Sequence, residues 1–317
     1  MRLLKMAACL WLEVAVLELL LALWPLFTLI VAGYYLRRWA FPNEAFWPGA
    51  ERLNYFMLFP ALLFSSLANA PLDNPALPRM ALAVMLALGI AWLALLVVRR
   101  VRGWPAGRFG AFSQGILRFN TYLGLAAVGS LFGQEGLTLA AIMLALMVPT
   151  VNVLSVWSLT AERGVNARSL LLPILKNPLI LACLGGALVN FSGLGLPGGT
   201  DRLLSLLAAA SLPLGLLCVG AALKPEQLGG EIPALASNSL LRLLAMPMLA
   251  WAVSYGLQLP TMESTVLVLF FALPTAPTAY VLTRQLGGDS QLMAGIITLQ
   301  TLLAAASLPL LLMLVAG

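Results

Sequence analysis

The chain has 317 residues, 61% of them hydrophobic and 9% charged, with no histidine and a formal net charge of +6. A soluble domain carries roughly 25% charged residues, so this composition excludes an ordinary globular protein and points to an integral membrane protein. Cys9, Cys183 and Cys218 show neither a disulfide pattern nor metal-ligand spacing, and without histidine the commonest proton shuttle and metal ligand is missing, so no cofactor or metal is expected.

Residues 1–13 read as an N-terminal extension. Their basic start is like that of a signal peptide, but Glu13 and Glu18 interrupt the apolar region and it runs on into the first span, so the segment is read as retained. Ten apolar runs follow, near 14–36, 52–70, 79–98, 110–132, 137–159, 173–192, 203–223, 235–256, 264–284 and 291–315. Each is close to the 20 or so residues that cross a hydrocarbon core of about 30 Å. They lack the alternation of a transmembrane barrel, which makes the class all-α. Glu135, Glu263 and Asp289 fall between runs and read as loop residues.

Cations collect on one side of these spans: Arg37, Arg38 and Arg52, then Arg99, Arg100, Arg102 and Arg108, then Arg163, Arg168 and Lys176, with Lys224 and Arg284. The other side receives Arg2, Lys5, Arg79 and Arg202. The positive-inside rule puts both termini of a multi-pass inner-membrane protein outside the cytoplasm. The basic balance is thus accounted for by topology and the lipid bilayer, with no nucleic-acid partner.

The spans also repeat. Pro25 and Pro178, Gly33 and Gly186, Pro60 and Pro213, and Ala68 and Ala221 each stand 153 residues apart. After a one-residue slip, Thr121 and Thr275, Gly133 and Gly287, and Ala140 and Ala294 stand 154 apart. Two units follow, 14–165 and 166–317, of five spans each. An odd number of spans inverts the second copy in the membrane, the arrangement common in secondary transporters.

Under the second offset Pro274 and Thr275 coincide with Asn120 and Thr121. Both fourth spans therefore carry polar or helix-breaking residues near mid-membrane. Freed backbone at that depth is tolerated where it is buried in protein or lines a wet cavity. Half-helix N-termini aimed at one point make an anion site.

The segments LNYFMLFPALLFSSLA, LRFNTYLGLAAVGSLFGQEGL, MVPTVNVL, LKNPLILACLGGAL, SLPLGLLCVGAAL and LPTAPTAYVLTRQLGGD resemble the auxin efflux carrier family. That family includes PIN-type auxin carriers and bacterial permeases associated with malonate or malate. The resemblance implies ten helices in two inverted repeats with a bile-acid symporter-like fold, and crossed, broken helices 4 and 9 beside the substrate. It also implies a scaffold of helices 1, 2, 6 and 7 that commonly forms a homodimer, with elevator-like movement of the other six. The chain lacks the long hydrophilic loop of many plant members, and Phe119 stands where many members carry glycine.

Substrate contacts are expected from Asn120 and Thr121, whose alternative task is to cap the broken helix, and from Pro274, Thr275, Pro277 and Thr278 at the opposite break. Arg118 either attracts an organic anion or snorkels to headgroups. For Arg242 snorkelling is the favoured reading. Asn152 and Thr301 lie on the spans flanking the crossover and either reach the ligand or bond a neighbouring helix. The expected activity is secondary transport of a small organic anion, a dicarboxylate such as malonate or malate or an auxin-like carboxylate. A sodium-coupled bile-acid-type symporter and a non-transporting sensor are the alternatives. With no HExxH, GxSxG or Asp-rich phosphate motif, an enzyme is not expected.

Overall fold

The computed structural model describes residues 21–70, 75–160, 175–193 and 195–316, all helix and connecting turns. The expected N-terminal extension lies outside these residues. In chain order the helices are α1 (21–38), α2 (Phe46–Leu53), α3 (Phe59–Ala68), α4 (Leu77–Arg102), α5 (Ala106–Leu117) and α6 (Thr121–Thr160). The second half continues with α7 (Pro178–Ser192), α8 (Thr200–Ala221), α9 (Ile232–Leu240), α10 (Met246–Gly256), α11 (Thr261–Ala272), α12 (Thr278–Gln285) and α13 (Ser290–Ala316). A π turn at Asn54–Leu58 joins α2 to α3, and another at Leu241–Ala245 joins α9 to α10.

Five helical stretches are long and apolar enough to span a membrane: Leu77–Arg102, Ala106–Thr160, Thr200–Ala221, Ile232–Gly256 and Ser290–Met313. Pro178–Ser192 and Thr261–Ala272 are shorter apolar helices. At 1.5 Å per residue the 55 residues of Ala106–Thr160 would reach roughly 80 Å, far more than one crossing. Gly133 divides the stretch, with φ 57° and ψ −145°, a backbone conformation open to glycine and costly for other residues.

Sequence sets the helix ends. Gly103, left-handed at φ 61°, stops α4 and returns its N–H to the Arg99 carbonyl at 2.9 Å, the geometry glycine favours at a C-terminus. Arg99, Arg100 and Arg102 occupy that last turn, where cations meet the negative end of the helix dipole. Asn177 caps α7 by accepting from Leu179 N at 2.9 Å, and Pro178 follows it as the first helical residue. Two of the three acidic residues expected in loops are helical instead: Glu135 lies within α6, and Glu263 is buried in the first turn of α11. Turn-and-cap signals are faint in such apolar sequence, and a carboxylate in a first helical turn faces the favourable end of the dipole. Asp289 caps α13, accepting from Leu292 N at 3.0 Å.

The two halves pack on each other by reciprocal contacts. A Cβ added at Gly33 on α1 would lie 2.0 Å from the Leu217 carbonyl oxygen on α8, and one at Gly186 on α7 would lie 2.5 Å from the Phe64 carbonyl oxygen on α3. Phe64 and Leu217 stand 153 residues apart, as do Gly33 and Gly186. Each half thus lays its first helix against the other half's second helix at the same place. Between lipid-facing helices, small residues are what permit such approach. The outward face of α4 shows Leu82, Leu86, Ile90, Leu93 and Val97, all exposed, as a bilayer solvent requires.

Candidate crossover site

α5 ends at Leu117, and Arg118 is extended at φ −77° and ψ 149° before α6 begins at Thr121. α11 ends at Ala272, and Leu273 is extended at φ −66° and ψ 145° before α12 begins at Thr278. The two breaks touch: Asn120 N donates to the Pro274 carbonyl at 2.8 Å. These residues stand 154 apart, so equivalent points of the two halves meet. The mirror-image bond cannot form, because proline has no N–H.

Breaking two helices orphans carbonyls on one side of the crossing and N–H groups on the other. On the carbonyl side the structure provides side-chain partners for several of these groups. Arg242, 1% exposed, donates from Nε to Leu273 O at 2.6 Å, from Nη1 to Ile116 O at 2.7 Å and from Nη2 to Phe270 O at 2.9 Å. The snorkelling expected of Arg242 is therefore corrected: its guanidinium turns inward and fastens the C-terminal ends of α5 and α11 together. Gln300 accepts from Thr275 N at 2.8 Å and donates to Gly115 O and Asn238 Oδ1, both at 2.9 Å. Asn238 Nδ2 in turn reaches Phe112 O at 2.8 Å, and Thr275 Oγ1 donates to Gly115 O at 2.9 Å.

The N–H side has no such seal and faces a cavity of about 60 Å³. One water needs roughly 10–15 Å³ on this measure, so the space suits several waters or one small ligand. Arg118, Asn120, Thr121, Asn152, Pro277 and Thr278 line it, along with Glu51, Tyr55, Phe119 and Asn177. Asn120 is fully buried; its Oδ1 accepts from Leu123 N at 3.1 Å, so it caps α6, while its Nδ2 has no partner. Arg118 reaches across to Thr278 Oγ1 at 3.4 Å with Nη2, and its Nη1 is buried without a partner. The guanidinium points into the cavity instead of toward headgroups. Phe119 packs edge-on against Phe270, ring centres 5.7 Å apart, and narrows the space.

The other three expected residues stand behind this wall. Pro274 supplies the crossing carbonyl, and Thr275 belongs to the glutamine network. Thr301, 2% exposed, donates to Ile297 O in its own helix at 2.7 Å. Sequence reasoning missed Glu51 and Tyr55, spaced four apart on one helical face, and Gln300, the neighbour of Thr301. Among the described residues, no group of three or more His, Cys, Asp or Glu is arranged to hold a metal.

Residues 165–312 match a family model described as a membrane transport protein. An "uncharacterized transporter" of Methanothermobacter thermautotrophicus is 28% identical over 293 residues, covering 89% of this chain and 93% of that relative. These similarities support a membrane transporter and indicate that the chain is not an enzyme.

Proposed function

We propose that this chain is a secondary transporter that moves a small organic anion across the inner membrane through the crossover, its ten spans forming two inverted repeats that work by elevator-type alternating access. The observation that carries the reading is the division of labour at the breaks. Every carbonyl named above on one side of the crossing has a partner, whereas Arg118 Nη1 and Asn120 Nδ2 remain unspent beside the cavity. Buried donors without partners are costly, and half-helix N-termini add partial positive charge at the same point. A carboxylate answers both.

Arg242 supports joint movement, since it ties α5 and α11 to the π turn between α9 and α10. The sodium-coupled alternative needs a cluster of oxygen ligands at the crossover; those of Gln300, Asn238 and Gly115 already accept hydrogen bonds, and Glu51 is the one carboxylate among the residues lining the cavity. A dicarboxylate such as malonate or malate is the substrate that the family resemblance leads one to expect, and a homodimer through the scaffold helices is the expected assembly.

The test is counterflow of labelled malonate, malate, succinate and indole-3-acetate in proteoliposomes, with and without an imposed potential. Saturable flux of an anion is expected, reduced at least about tenfold in Asn120→Ala, the scale of one lost hydrogen bond to a charged group. Absence of flux for every anion, with the folded protein shown by its melting curve, would leave the sensor reading.

A further inference from the structure

One wall of the cavity has no part in the anion reading. Glu51, on α2, lines the same space as Arg118, yet no ion pair or hydrogen bond joins the two. Each faces the cavity with capacity unspent. An ionised carboxyl accepts hydrogen bonds and donates none, so it repels a second carboxylate and attracts a donor or a cation. The cavity, of about 60 Å³, limits the ligand to a few heavy atoms, and Glu51 and Arg118 both line it.

Resting on the anion-transport reading, we infer that the crossover cavity takes a small carboxylate with a hydrogen-bond donor at its far end, and disfavours a dianion. The ligand's carboxylate meets Arg118 and Asn120; its other end meets Glu51. Amino acids, hydroxy acids and half-protonated dicarboxylic acids share this chemistry. Tyr55, one helical turn beyond Glu51 and also on the cavity wall, offers a phenol that accepts or donates.

Four three-carbon acids separate the possibilities: propionate, malonate, 3-hydroxypropionate and β-alanine, which share a CH2–carboxylate unit and carry on it a methyl, a carboxylate, a hydroxymethyl or an ammoniomethyl group. Their relative affinities are read at neutral pH from the concentration dependence of the melting temperature of the purified full chain. 3-Hydroxypropionate or β-alanine is expected to bind at least about tenfold more tightly than malonate and propionate, a difference of about 1.4 kcal/mol. In Glu51→Gln malonate gains and β-alanine loses, and Glu51→Asp keeps the native ranking. Malonate binding as well as the donor-bearing acids, with a ranking indifferent to Glu51→Gln, overturns the inference. In that case loss of all binding in Arg118→Gln leaves the anion reading standing. If none of the four acids shifts the melting temperature, both readings fall.

Discussion

Arg118 and Arg242 carry the same side chain into the same region and do opposite things. Arg242 spends its donors on three backbone carbonyls, whereas Arg118 keeps one back at the cavity. Side-chain hydrogen bonds within membranes average about 0.6 and reach about 1.7 kcal/mol, so Arg242→Ala should cost about 2–5 kcal/mol over three bonds. Arg242→Lys should recover only part of it, since a point-like ammonium lacks the planar fork that serves separated acceptors. Thermal melting of purified variants measures both, and a neutral Arg242→Ala would mean that the carbonyls find other partners. The place of Asn120, Thr121 and Arg118 at the break was legible in the sequence, because polar residues at membrane depth stand out against an apolar run. The inward turn of Arg242 was not: an arginine in an apolar helix can face lipid or protein, and only the neighbouring carbonyls decide which.

Helices in this protein meet where side chains are missing. Gly220 on α8 is tighter than Gly33 or Gly186: an added Cβ would come within 1.7 Å of the Ile30 carbonyl oxygen on α1. Backbone cannot yield as a flexible side chain does, so Gly33→Ala, Gly186→Ala and Gly220→Ala should each destabilise by about 1–3 kcal/mol or more. Gly89, inside α4 with nothing near its would-be Cβ, is the control. Gly89→Ala should stabilise slightly, since alanine is favoured over glycine in a helix by roughly 0.5–1 kcal/mol. Equal melting temperatures across the set would argue against the packing account. The constant offset made the existence of paired glycines readable; which helix each one faces required the fold. A second link between elements is ionic. Arg108, at the start of α5, clasps Glu231, just before α9, with both guanidinium Nη atoms, one of them at 2.7 Å. That hydrogen bond holds the Glu231 carboxyl below its ordinary value of 4.5. A depressed carboxyl stabilises the fold above its unfolded pKa and loses that contribution as pH falls through the folded one. The melting-temperature advantage of the native chain over Glu231→Gln should therefore hold from pH 7 to 5 and shrink below about 4.5. An advantage that persisted unchanged into stronger acid would show that the pair contributes through packing and not through charge.

At the scale of the whole molecule, the two halves repeat their contacts and differ where they cross. Asn120 and Pro274 occupy equivalent places and touch, yet one brings a side-chain amide and the other removes a backbone donor. Both breaks could be read from the chain, since proline and asparagine at a fixed spacing stand out even in leucine-rich sequence. The network of Gln300, Asn238 and Arg242 could not, because it joins residues from 25 to 185 positions apart with their partners. That network has an electrical side. Arg242 is bonded to carbonyls and to no carboxylate, so its positive charge adds to that of Arg118 at the waist of the bundle. A unit charge carried across a membrane potential is worth about 2.3 kcal/mol per 100 mV. In a carrier whose crossover travels as one body, the empty stroke drags that charge through the field, while an anion aboard cancels part of it. If the proposed carrier moves in this way, the membrane voltage would act more on its empty stroke than on its loaded one, and a battery would serve the cycle in place of a second ion.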